Sequence, residues 1–135
     1  MSLEALGLIL ASLLFALGWF PASVAKYQAY GTRWLASNRE TAGLPPLPEW
    51  GQRANRAYDN LKENFPPWAA LLLLIIAMDW QSPITAWAAI LFLLARLGHM
   101  ASYTAGYFMP RMLFWLVGVA CTFTLAGVAM VNVCS

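Results

Sequence analysis

Arg53, Arg56, Asn60 and Glu63 stand at steps of three, four and three residues in RANRAYDNLKENFPP, just before the apolar run WAALLLLIIAM. On a helix those steps bring the four side chains to one face. Two guanidinium groups, an amide and a carboxylate in one column can converge on a small polar ligand carrying both signs of charge. They can equally brace one another as a clasp. A second column lies downstream in LLARLGHMASYTAGYF, where Arg96, His99, Tyr103 and Tyr107 follow at three, four and four. An arginine inside a membrane helix costs roughly 2.5–3.5 kcal/mol on insertion scales, so it faces a partner or a wet cavity rather than lipid. Glu63 is the expected partner of Arg96, with Asn60 completing its hydrogen bonds. Such a pair either builds a site or only fixes helix packing.

The elements that must position these columns follow from composition. Of 135 residues, 61% are hydrophobic and 10% charged, with a mean hydropathy of +0.60. That balance excludes a soluble domain. Apolar segments run from Leu3 to Ala25, Tyr58 to Met78, Pro83 to Tyr107 and Met112 to Val133. Each is near the ~20 residues needed to cross a bilayer. They predict an all-α, integral membrane four-helix bundle as a single domain over 1–135, with helices over 3–25, 53–79, 83–107 and 110–133. Barrel strands are excluded because the apolar runs are continuous and too long. Pro66 and Pro67 remove two amides from the second helix, which predicts a bend there. The freed carbonyls of Lys62 and Glu63 then turn to water, a ligand or a neighbouring helix. The stretch Ala22-Ser23-Val24-Ala25 resembles a signal cleavage site, but the N-terminal region carries Glu4 and no Lys or Arg. The first segment is therefore expected to stay as a helix.

Lys26, Arg33, Arg39, Arg53, Arg56 and Lys62 all fall in or beside the connection between the first two helices, and Arg96 and Arg111 bracket the last one. By the positive-inside tendency those two connections are cytoplasmic and both termini face outward, with Trp80 and Trp87 flanking the short outer turn. The net charge of +2 is thus a topology signal and no sign of nucleic acid. The cytoplasmic loop over 31–51 contains Gly43, Pro45, Pro46 and Pro48, and reads as irregular and partly extended. Its Arg33, Trp34, Arg39 and Trp50 suit a headgroup layer. Cys121 and Cys134 lie too far apart on one helix to bridge, and one histidine without paired cysteines gives no metal spacing.

Arg56-Ala57, Asn60, Glu63 and Pro67 opening an apolar helix, with Ala95-Arg96, Tyr103 and Arg111 downstream, resemble the MAPEG family. The name denotes membrane-associated proteins in eicosanoid and glutathione metabolism. The resemblance spans nearly the whole chain. It implies a homotrimer in which subunits share interfacial sites, each taking glutathione as co-substrate from the cytoplasmic side, and no metal. By motif position Arg56, Asn60 and Glu63 hold the peptide's carboxylates and amino group. Tyr103 lines the same cleft, with His99 on its stripe, and Arg96 pairs with Glu63 or reaches the ligand. Arg111 matches the arginine that activates the thiol, and Lys26 is a basic contact from the adjacent subunit. The implied reaction conjugates a lipophilic small molecule dissolved among the membrane lipids, or reduces a lipid hydroperoxide. Two other readings remain open: a non-catalytic membrane scaffold, and a small lipid- or ligand-binding protein using the same cavity. A bacterial inner membrane is the expected location.

Overall fold

The computed structural model describes residues 2–135. Five helical segments make up the chain: α1 (Leu3–Leu17), α2 (Phe20–Leu35), α3 (Glu49–Ala77), α4 (Pro83–Ala105) and α5 (Phe108–Cys134). Ser2 caps α1, its hydroxyl accepting the Ala5 amide at 3.2 Å. Gly18 and Trp19 keep helical dihedrals, so α1 runs on into α2 over the 33 residues from Leu3 to Leu35, with a kink at Gly31. Pro21 fits the first turn of α2, where a missing amide costs least. The rod outruns the stretch 3–25 expected from hydropathy because polar residues replace apolar ones while the backbone stays helical as far as Gly31. There φ is +79°, a conformation that glycine adopts without strain.

The connection from α2 to α3 is held by its aromatics. The Tyr30 hydroxyl donates to the Pro45 carbonyl at 2.7 Å and the Trp34 indole to the Glu40 carbonyl at 2.8 Å. Helix α3 remains one element through Pro66 and Pro67, both on its exposed side. The α3–α4 turn ends in a capping box, in which Ser82 and Thr85 exchange side-chain to backbone hydrogen bonds. Gly106, at φ +92°, closes α4 in the left-handed cap that glycine favours.

Three rods, Leu3–Leu35, Pro83–Ala105 and Phe108–Cys134, are long and apolar enough to cross a membrane. Helix α3 is polar through Asn64 and becomes apolar from Phe65 onward, so it brings charge into a bundle of apolar helices. Four helical rods, with no strand among the described residues, make the fold an all-helical membrane bundle. Its core joins Trp68, Leu72 and Ile75 of α3 to Ala88, Ala89 and Phe92 of α4, with Ala11 from α1 and Cys121 and Leu125 from α5. Trp68 and Phe92 stack at 4.1 Å between centroids, 8° from parallel. In lipid such packing contacts hold helices together, because apolar side chains gain little by leaving hydrocarbon for protein.

A buried polar contact locks the opposite end. The Thr85 hydroxyl donates to a Glu4 carboxylate oxygen at 2.7 Å, and both residues are buried. This ties α1 to the start of α4, where the positive end of the helix dipole favours a carboxylate. Small residues spaced by four on the first and last helices also have their use within the chain. Gly7 packs on Ala89, Ala11 is in the core, and Gly118 lies under Arg96. These three positions are thus taken up by packing within one chain.

Candidate functional site

Asn60 is the point at which the two polar columns meet. Its side-chain oxygen accepts from Arg96 Nη1 at 3.1 Å, and Arg96 Nη2 donates to the Trp115 carbonyl at 3.2 Å. Arg96 is 1% exposed, with its guanidinium 5.2 Å from the Phe92 ring. The backbones come close enough for this because position 118 is glycine: a Cβ there would fall 1.9 Å from Arg96 Nη2. Arg96 Nε and Trp68 Nε1 are buried donors without a partner among the described residues.

The expected pair of Arg96 with Glu63 does not form. Packing of Trp68, Leu72 and Ile75 turns α3 so that Asn60 points into the bundle, while Arg56 and Glu63 lie on its exposed side. The ion pairs among the described residues are Arg53 with Glu49 at 3.6 Å and Lys62 with Asp59 at 2.6 Å. Neither involves the motif carboxylate.

A cavity of about 320 Å³ opens beside Asn60, lined also by His99, Tyr103, Phe108, Arg111, Met112 and Trp115. Three helices supply it, α3 with Asn60, α4 with His99 and Tyr103, and α5 with the remainder. His99 is buried and meets Tyr103 edge-on at 5.5 Å. Arg111 lies over the Tyr103 ring at 4.5 Å and the Phe108 ring at 5.2 Å. Among the described residues its guanidinium has neither an ion-pair partner nor a hydrogen-bond acceptor. The rings hold the charge in place by their negative faces and leave its donors free for a ligand anion.

A smaller cavity of about 100 Å³ continues from the first, sharing Tyr103, Phe108 and Arg111 and adding Arg53, Gly106 and Tyr107. Arg53 Nε donates to the Thr104 carbonyl at 3.1 Å, which satisfies an open carbonyl at the end of α4. Lys26 lies elsewhere, in a cavity of about 240 Å³ with Trp19, Arg39, Tyr58 and Lys62 on another flank of α3.

The chain therefore gathers Asn60, His99, Tyr103 and Arg111 around one space, with Arg96 behind Asn60. It leaves Arg56 and Glu63 outward and Lys26 apart. The backbone carbonyl of Trp115 and the bare slot at Gly118 carry no signal in residue type. Arg53 does carry one, since it sits two turns before Asn60 on the same face of α3. Among the described residues no three His, Cys, Asp or Glu side chains gather as metal ligands.

Comparison with curated proteins and with solved structures gives no match. The model of the MAPEG family matches residues 3–131, almost the entire chain and every helix that builds the cavity. An all-helical membrane bundle with its polar columns on α3 and α4, matched from end to end in this way, belongs to the MAPEG family.

Proposed function

We propose that this protein is a glutathione-dependent membrane transferase or peroxidase acting on lipophilic electrophiles or hydroperoxides. One observation carries the reading: Arg111, without a hydrogen-bond acceptor or ion-pair partner among the described residues, stands on the wall of the cavity that Asn60, His99 and Tyr103 also line. A fixed guanidinium in a cavity lined by aromatic rings favours a thiolate over a thiol, and each unit of lowered pKa needs about 1.4 kcal/mol of that preference. Bound glutathione supplies the nucleophile. Its sulfur either forms a C–S bond as the leaving group departs with the bonding electrons, or attacks the outer oxygen of a hydroperoxide, breaking the O–O bond so that the alkoxide leaves and takes a proton to become the alcohol; a second glutathione then displaces water from the resulting sulfenic acid to close the disulfide.

The remaining motif residues complete the site in an assembly of copies, a homotrimer in this reading. Arg56 and Glu63 form a charged column on the outward face of α3, directly above exposed Pro67, Ala70 and Leu74. A second copy laid on this face removes the charges from lipid and closes a cleft around a ligand with two carboxylates and an ammonium. Lys26 opens on another flank of α3, so it reaches that cleft from the neighbouring subunit. The basic ends of the helices face the cytoplasm in this arrangement, as in a bacterial inner membrane.

The test is thermal stability of the detergent-purified protein with and without millimolar glutathione. At ~100 times its dissociation constant a ligand adds about 2.7 kcal/mol to the folded state. Stabilisation of the parent that is lost in Arg56→Ala and Glu63→Ala supports the site. Absence of any shift at saturating glutathione overturns the reading and leaves a scaffold or a binder of other ligands.

A further inference from the structure

We propose that Arg53 is a specificity-determining residue that holds the carboxylate of an amphipathic substrate at the mouth of the cavity, so that lipophilic acids are preferred over their neutral counterparts. The inference rests on the glutathione reading for the reaction but on separate geometry for the selection. Arg53 and Arg111 line the same cavity of about 100 Å³, and no carboxylate lines it with them. Arg53 is held from behind, its Nε on the Thr104 carbonyl and its guanidinium carbon 3.3 Å from where a Cβ on Gly106 would lie. One terminal nitrogen has only a 3.6 Å contact with Glu49, whose side chain is 91% exposed. The fork is therefore fixed in direction while part of its donor set remains available, the condition for planar recognition of a carboxylate.

The position suits a substrate with one anionic end. This cavity opens into the larger one across Tyr103, Phe108 and Arg111, so a head group at Arg53 places the adjoining chain beside Arg111. Met112 and Trp115 line the larger cavity, and α5 also carries exposed apolar side chains such as Leu113 and Leu116. An acyl chain can continue there into the bilayer. The space of about 100 Å³ admits a carboxylate and its first few carbons. If Arg53 serves only to close the end of α4, its loss lowers stability and leaves substrate preference unchanged.

Two measurements test this. The first reads thermal stability with decanoate and with methyl decanoate, without glutathione, for the parent, Arg53→Gln and Arg53→Lys. Stabilisation by the acid and not the ester is expected in the parent, with loss of the difference in Arg53→Gln and partial retention in Arg53→Lys. The second reads kcat/KM with glutathione for a fatty-acid hydroperoxide and its methyl ester. A site hydrogen-bonding the carboxylate should prefer the acid by at least about tenfold, and Arg53→Gln should bring that ratio near one. Equal treatment of acid and ester by the parent overturns the proposal even where a variant fails to fold, as does a parent-like preference in Arg53→Gln. Decanoate binding without turnover of either hydroperoxide sinks the glutathione reading and keeps the carboxylate site. Turnover without discrimination does the reverse.

Discussion

Arg96 Nη1 lies 3.1 Å from Asn60 Oδ1, and this hydrogen bond, not an ion pair, joins the polar columns of α3 and α4. A cation buried to 1% exposure is thus held by an amide, a backbone carbonyl and an aromatic face, without a carboxylate in contact. Its charge contributes to the potential in the adjoining cavity, since among the described residues no ion pair neutralises it. A wall of this kind favours anionic ligands before Arg111 is considered.

The first prediction follows from that bond. Replacing Arg96 by Met keeps much of the volume but leaves the Asn60 oxygen and the Trp115 carbonyl without their donor, at a cost of about 1.5–3 kcal/mol for charge-assisted bonds. Asn60→Ala removes the acceptor alone. The two losses should be less than additive, with a coupling of about 0.5–3 kcal/mol in a double-mutant cycle read by reversible unfolding in detergent. Strict additivity would show that the two side chains stabilise the bundle independently.

Gly118 gives the second. A methyl group at this position meets the guanidinium at 1.9 Å, so Gly118→Ala must displace Arg96 or part α4 from α5. Overpacking of that kind costs about 1–3 kcal/mol. At Gly127 nothing lies within 4 Å of the same added atom, which makes Gly127→Ala the matched control. Gly118→Ala should melt several degrees below Gly127→Ala. Equal melting temperatures would mean that the slot closes by a cheap side-chain shift.

The order of helices and the two polar columns could be read from the chain, because hydropathy and three-four spacing are properties of the sequence itself. The partner of Arg96 could not. Asn60 and Glu63 share a helix face, and which of them turns inward depends on the rotation of α3, set by Trp68, Leu72 and Ile75 against Phe92. Small residues pose the same difficulty. A step of four such as Gly7 and Ala11 announces close approach without saying whether the neighbour is α4 or another subunit. The resemblance implies that Lys26 reaches the cleft from an adjacent subunit, and within one chain Lys26 and Asn60 line different cavities. Convergence between them needs a second copy, which no local pattern encodes.

The buried contact at the far end yields the third prediction. Thr85→Val removes the hydroxyl that donates to Glu4 and also the Thr85 half of the capping box. The first loss leaves a buried carboxylate without its donor, and the second a turn without its side-chain lock. Together they should cost about 2–4 kcal/mol, from charged-group and capping losses. Glu4→Gln keeps an acceptor for the hydroxyl and should cost less. The ordering of the two melting temperatures checks the argument, and a Thr85→Val protein as stable as the parent would show that water replaces the hydroxyl.

Arg111 separates catalysis from folding. Its guanidinium rests on Tyr103 and Phe108 and bonds no protein acceptor among the described residues, so Arg111→Ala should cost only about 0.5–1 kcal/mol of stability, the worth of an exposed cation–π contact. The effect on chemistry should be larger. Without a fixed cation beside it the bound thiol returns toward its ordinary range, and a shift of one to two units lowers the thiolate fraction near neutral pH by about ten- to a hundredfold. The thiolate's ultraviolet absorbance, titrated with saturating glutathione, should appear at higher pH in Arg111→Ala than in the parent, and the pH dependence of kcat should follow it. Arg111→Lys, which keeps the charge without the planar fork, should fall between the two. A titration that is identical in parent and variant would remove Arg111 from thiol activation.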